Sequence, residues 1–125
     1  MELSLYRIIL FGKDITRLKH FYTSNFGFVV AEEIVDEWVV LKTGEIEIAL
    51  HKIGKEYINN QKDFSADNNI KLVFRISDDL HLFRKKLIKN NVVIQEIKSF
   101  PGISSLFCDG QDCEGNVFQL EQKLS

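Results

Sequence analysis

Cysteine is scarce, with two in 125 residues, Cys108 and Cys113. That is too few for the disulfide framework of a secreted mini-protein. Their spacing is not a zinc spacing, and no second Cys or His pair accompanies them. One strand cysteine and one loop cysteine is the plain reading. No apolar run approaches the ~20 residues of a membrane helix. The start, Met1-Glu2-Leu3-Ser4, has neither the basic region nor the apolar core of a signal peptide, so no membrane partner and a cytoplasmic location are expected. A net charge of −2 leaves no electrostatic footprint for nucleic acid. Neither a Gly-rich phosphate loop, a nucleophile elbow nor a Cys-His dyad is present.

What remains is an ordinary globular composition, 45% hydrophobic and 27% charged, at a length that suits one domain. The chain reads as two halves. Leu3 to Phe11 predicts a strand. Asp14 is an N-cap, and Ile15, Leu18, Phe21 and Tyr22 share one helical face. Asn25-Phe26-Gly27 ends that helix, with Gly27 at the left-handed position. Short strands follow at 28–33, 38–42 and 45–51, with turns at Asp36-Glu37 and Thr43-Gly44. A polar, unpatterned stretch over 53–69 predicts a linker or lid. The order then repeats: a strand at 70–76, a helix capped within Ser77-Asp78-Asp79, a stop at Asn90-Asn91, and strands at 92–98, 104–108 and 116–121.

The repeat is visible on adding 64 to each number. Arg7 maps to Lys71, Asp14 to Asp78, Leu18 to Leu82, Gly27 to Asn91, and Val29-Val30 to Val93-Ile94. The prediction is one α+β domain of two tandem βαβββ modules, about 3–52 and 70–122. Their strands curl around a shared cleft and their helices lie outside.

Two blocks carry a family resemblance: Asp14…Phe21-Tyr22…Phe26-Gly27-Phe28, and Asp112-Cys113-Glu114-Gly115-Asn116-Val117-Phe118-Gln119-Leu120. With the twofold frame, the whole chain resembles the glyoxalase, bleomycin-resistance and extradiol-dioxygenase superfamily, the vicinal oxygen chelate fold. Cys113 stands where that pattern usually has Pro. The resemblance implies metal ligands on the first and last strand of each half. Strand parity puts Arg7, Glu47, Lys71 and Gln119 at those positions. Two of the four are cations. A divalent ion about 5 Å from either feels a repulsion of ~6–7 kcal/mol at an effective dielectric of ~20. Glu47 and Gln119 supply two oxygens, short of the three or more protein ligands usual in functional sites.

No cofactor is therefore expected, and three functions stay open. One is metal-free binding of a polar or anionic small molecule, with Arg7, Glu47, Lys71 and Gln119 joined by His51 and Trp38, whose indole suits a flat ligand. Another is a metal-dependent lyase, isomerase or dioxygenase holding Zn, Ni, Fe or Mn on Glu47, Gln119 and His51. The last is an interaction module whose cleft is filled by an Arg7–Glu47 salt bridge. The residues do not decide whether the chain is an enzyme. The resemblance also implies a homodimer. His20 and His81 belong to helix surfaces. Arg84, Lys85, Lys86 and Lys89 form a solvated basic run near a helix C-terminus. Phe100-Pro101-Gly102 is a turn or a lip.

Overall fold

The computed structural model describes residues 1–2, 4–54 and 70–124. The chain falls into two compact units, Met1–Phe64 and Ser65–Ser125. The expected linker over 53–69 lies outside the described residues from position 55 onward.

The described residues of the first module hold β1 (Arg7–Gly12), α1 (Ile15–Phe26), β2 (Val29–Ile34), β3 (Trp38–Lys42) and β4 (Glu47–Lys52). The second holds β5 (Lys71–Ile76), α2 (Leu80–Lys89), β6 (Val93–Ile94), β7 (Ser105–Gln111) and β8 (Val117–Lys123). Each forms a mixed four-stranded sheet, in the orders β1-β4-β3-β2 and β5-β8-β7-β6. The first strand runs parallel to the last, and the other pairs are antiparallel. The predicted α+β fold of two βαβββ units is the observed one.

Helix α1 begins where the carboxylate of Asp14 accepts from the Arg17 amide, 3.1 Å, satisfying one of the amides that every helix start leaves unpaired. It ends at Gly27, whose φ of 71° carries the chain out while its amide donates to the Thr23 carbonyl. Ile15, Leu18 and Tyr22 face inward, and α1 packs on β3 and β4. The early motif is a knot of rings. Phe21 meets Tyr22 edge-on at 5.1 Å, Tyr22 stacks on Phe28 at 6.3 Å, and Phe26 lies 5.7 Å from Phe28. Aromatic pairs of this kind add ~0.5–1.5 kcal/mol each beyond their buried area. The knot fixes the angle between the helix and β2.

The second module departs from a simple offset of 64. Its N-cap is Asp79, which accepts from the amides of His81 and Leu82, and not Asp78. The left-handed stop at Asn91 (φ 62°) does keep the offset. Helix α2 therefore starts one residue late, a rotation of ~100°. Leu80 and Leu87 are buried, while Leu82, the counterpart of fully buried Leu18, stands 65% exposed. Ile88 is also exposed, at 46%.

Strand bounds also differ, and β1, expected from Leu3, begins at Arg7. β6 was expected over 92–98 and spans only Val93–Ile94. The Gln95 carbonyl leaves the ladder to accept from Arg84 Nε at 2.8 Å and from the Cys108 thiol at 3.1 Å. Only Lys98 rejoins, in an isolated bridge to Phe107. β7 was expected to end at Cys108 and continues to Gln111. Asp109-Gly110 reads as a turn, yet Gly110 lies in the strand. A Cβ there would come within 2.5 Å of the Phe118 ring and 2.9 Å of the Val93 carbonyl, so the position has room for glycine alone.

The late motif builds a turn. Asp112 is 5% exposed. Its Oδ1 accepts from the amides of Glu114 and Asn116, both at 2.9 Å, and its Oδ2 accepts from Asn116 Nδ2 at 2.7 Å. Gly115 takes a φ of 89°. The backbone closes with the Asp112 amide on the Asn116 carbonyl and the Gly115 amide on the Asp112 carbonyl. This knot aims β8, and with it Gln119. The Phe100-Pro101-Gly102 segment is a turn closed by the Ile103 amide on the Phe100 carbonyl, 3.1 Å, with Phe100 against Phe107.

Candidate functional site

Strand pairing sorts the side chains by face. In the first sheet Arg7 lies opposite Glu47, Ile9 opposite Ala49 and Phe11 opposite His51. On the other flank of β4, Lys42 lies opposite Glu47, Val40 opposite Ala49 and Trp38 opposite His51. Because side chains alternate along a strand, these residues share one face. Ile8, Leu10, Ile48, Leu50, Val39 and Leu41 share the other, towards α1.

Arg7 is the centre of that first face. Its Nε and Nη2 both donate to one oxygen of Glu47, Oε1, at 3.2 and 3.0 Å. Its guanidinium lies 5.2 Å from the Tyr6 ring and 5.5 Å from the Trp38 ring. A cation over one aromatic face is worth ~0.5–1 kcal/mol when exposed and ~2 when desolvated. Both partners of the ion pair keep about a quarter of their side-chain surface in water, 25% and 26%, so the pair belongs near the weak, screened limit. Trp38 starts in register with His51, four residues along β4 from Glu47, or about 13 Å at ~3.3 Å per residue. Its indole nonetheless reaches both His51, at a ring distance of 5.5 Å, and Arg7. The ring therefore lies along the strand, across the row of small Ala49. His51 also meets Phe11 at 5.5 Å, so aromatic surface continues to the far end.

The second sheet carries its own polar cluster. Lys71 Nζ donates to Asp109 Oδ2 at 3.1 Å, and Gln119 Nε2 donates to Asp109 Oδ1 at 2.9 Å. Further along, Arg75 Nη2 donates to Glu121 Oε1 at 3.3 Å, and the buried Ser105 hydroxyl donates to Glu121 Oε2 at 2.8 Å. The Ser105 hydrogen bond, helped by Arg75, holds the Glu121 carboxyl below its usual value.

The structure thus brings four of the predicted residues, Arg7, Glu47, Trp38 and His51, onto one face of the first module. It puts Lys71 and Gln119 on one face of the second. The partners are not those the repeat suggests. Arg7 takes its carboxylate from the last strand of its module, whereas Lys71 lies opposite Val117 and takes Asp109 from β7, on the far side of β8. Gln119 lies opposite Val73, the position that corresponds to Ala49 in the first module, so Glu47 and Gln119 are not equivalent sites. Sequence reasoning missed Asp109 and Tyr6. Phe107, Asp109 and Gln111 continue the alternation of β7, a signal masked by the Asp-Gly pair; Tyr6 adjoins Arg7 just ahead of β1 and carries no signal of its own. Glu47 and His51, paired in the metal-dependent reading, stand at opposite ends of β4 and are not brought together. Among the described residues, no group of three or more His, Cys, Asp and Glu side chains is placed to hold a metal ion.

No protein-family model and no curated relative matches the chain by sequence. Solved structures do match it in three dimensions. It is similar to the genomically encoded fosfomycin resistance protein FosX from Listeria monocytogenes, with 12% identity and a TM-score of 0.77 over 98% of this chain and 94% of that one. It is similar to lactoylglutathione lyase from Agrobacterium tumefaciens, with 16% identity and a TM-score of 0.72 over 95% and 92%. An integron cassette protein from the mobile metagenome of Vibrio cholerae gives 21% identity and a TM-score of 0.73 over 98% and 97%. At these identities the likeness shows the fold alone, two βαβββ modules in one chain.

Proposed function

We propose that this chain, built on the vicinal oxygen chelate fold, is a metal-free small-molecule binding protein of the glyoxalase and bleomycin-resistance kind. The ligand is polar or anionic and rests on the polar strand faces. Arg7, Glu47, His51 and Trp38 offer such a surface in the first module, and Lys71 and Gln119 offer a second polar surface in their own module. The observation that carries this reading is the state of Arg7. Two rings hold its guanidinium in place, and a single carboxylate oxygen takes two of its donors. A fixed, charge-balanced guanidinium beside an indole suits a ligand that has both a flat surface and an acidic group.

The same donors argue against a divalent ion. Two of the four positions that would bind it are cations, Glu47 is engaged by Arg7, and the Gln119 amide nitrogen already points at Asp109. These residues do not fit a metal, and no chemical step through one is assigned. The named neighbours include a lyase and a resistance protein, so the fold leaves catalysis open.

Trp38 is the sole tryptophan of the chain, so intrinsic emission reports directly on this face. Small carboxylates, phosphonates and aromatic glycopeptides should be screened by Trp38 emission and by thermal shift. Binding lost in Arg7→Ala and kept in a distant surface variant supports the reading. A panel that moves neither signal counts against it. Tightly held stoichiometric metal in the purified protein, found by elemental analysis, would overturn it.

A further inference from the structure

We propose that the ligand of the first-module face is a zwitterionic aromatic compound, in its simplest form an aromatic α-amino acid. This rests on the metal-free binding reading above and names its substrate class. The carboxylate goes to Arg7, the ammonium to Glu47, and the ring to the apolar surface beside them.

The Arg7–Glu47 pair is closed on one side only. Arg7 Nε and Nη2 both donate to the same oxygen, Oε1. Among the described residues, Arg7 Nη1 and Glu47 Oε2 have no hydrogen-bond partner. The carboxylates of the second sheet are built differently. Asp109 gives one oxygen to Lys71 and the other to Gln119, and Glu121 gives one to Arg75 and the other to Ser105. Those two are saturated by their own module. Glu47 keeps an idle acceptor next to an idle guanidinium donor, and both side chains are a quarter open to water.

Charge decides which ligand suits the pair. Arg7 and Glu47 cancel one another. A bare carboxylate on Nη1 would bring a second negative charge beside Glu47, and a bare ammonium on Oε2 would face the guanidinium. A group that carries both charges on adjoining carbons meets each side chain with its opposite, through two charge-assisted hydrogen bonds. Lys42, opposite Glu47 on β3, is exposed, so water screens it.

The ring follows from the same face. Ile9 and Phe11 continue β1 beyond Arg7 with 43% and 52% of their surfaces exposed, and the Trp38 indole reaches from Arg7 to His51. This apolar strip adjoins the ion pair, and a flat ring covers it where a small aliphatic group leaves it wet.

Calorimetric titration of the full wild-type chain is the test. The series is L-phenylalanine, 3-phenylpropionate, which lacks the ammonium, phenethylamine, which lacks the carboxylate, and glycine, which lacks the ring. L-phenylalanine should bind at least about tenfold more tightly than each of the others, because each omission leaves a charged partner unmet or the strip uncovered. Glu47→Gln exchanges the carboxylate for an amide. It should bring L-phenylalanine down to the level of 3-phenylpropionate, with the affinity for that acid unchanged or raised. If 3-phenylpropionate matches L-phenylalanine on the wild type, or Glu47→Gln keeps the preference, the substrate class is wrong and metal-free binding still stands. The same holds if the amino acid is silent while another compound of the wider panel moves Trp38 emission. Silence from every compound in both sets would overturn the class and the binding reading together. Should Glu47→Gln fail to fold, the wild-type series decides by itself.

Discussion

Replacing Asp112 by Ala should be among the most damaging single changes in the second module. The carboxylate accepts three hydrogen bonds, two from backbone amides and one from Asn116, at a position 5% exposed. Hydrogen bonds to charged groups are each worth about 1.5–3 kcal/mol, and their loss does not add fully because the turn relaxes and water enters. A loss of about 3–5 kcal/mol is expected, a large part of the ~5–15 kcal/mol that holds a domain folded. Asp112→Asn tests the chemistry more finely. An amide oxygen can still accept from the two backbone amides, but its nitrogen then faces the nitrogen of Asn116, donor against donor. That variant should lose about 1–3 kcal/mol. Adding Asn116→Asp turns the second group into an acceptor and should recover most of the loss. Urea unfolding followed by circular dichroism, with the slope compared across variants, gives each value. Asp112→Ala within ~0.5 kcal/mol of wild type, or a double variant no better than Asp112→Asn, would refute the reasoning.

Acid stability offers a second check. The folded Glu121 carboxyl sits below the ordinary glutamate value of 4.5, so its contribution to stability is present above that pH and is lost as pH falls through the folded value. Ser105→Ala removes the first cause of that depression and should flatten the acid limb of the stability–pH curve; an unchanged limb would exclude the assignment. The two thiols should separate in a thiol-reagent titration. Burial pushes the Cys108 thiol up, while Cys113 is partly exposed, so one group should react quickly in the native protein and two after unfolding. Helix α2 gives a paired test. Leu87→Ala should cost about 2–5 kcal/mol, and Leu82→Lys less than ~0.5, because the first is buried and the second stands in water. Equal effects in urea would mean that the helix is rotated from the orientation described.

Much of the frame was legible because its determinants are local. Asp14 and Gly27 bracket the first helix through hydrogen bonds made within four residues of themselves. Strand parity then follows from the alternation itself, and it placed Arg7 and Glu47 on one face before any pairing was known. The second helix was legible in existence but not in phase. Asp78 and Asp79 are equally good caps in sequence, and the choice between them turns Leu82 inward or outward. The end of β7, expected at Cys108, was illegible for a similar reason. The local preference of Asp109-Gly110 is a turn, and pairing of Asp109, Gly110 and Gln111 with Gln119, Phe118 and Val117 carries the strand on.

The sequence by itself determined the twofold βαβββ plan, the capping of its helices, and the polar character of one strand face in each module. These are properties of neighbours in the chain, set by periodicity and by short-range hydrogen bonds. The tertiary structure decided which charges meet. Arg7 finds Glu47 across a parallel pair of strands forty residues apart, and Lys71 finds Asp109 on a strand that is not its immediate neighbour. Such pairings depend on strand order and register, which no local signal encodes, and on them rests the character of the site.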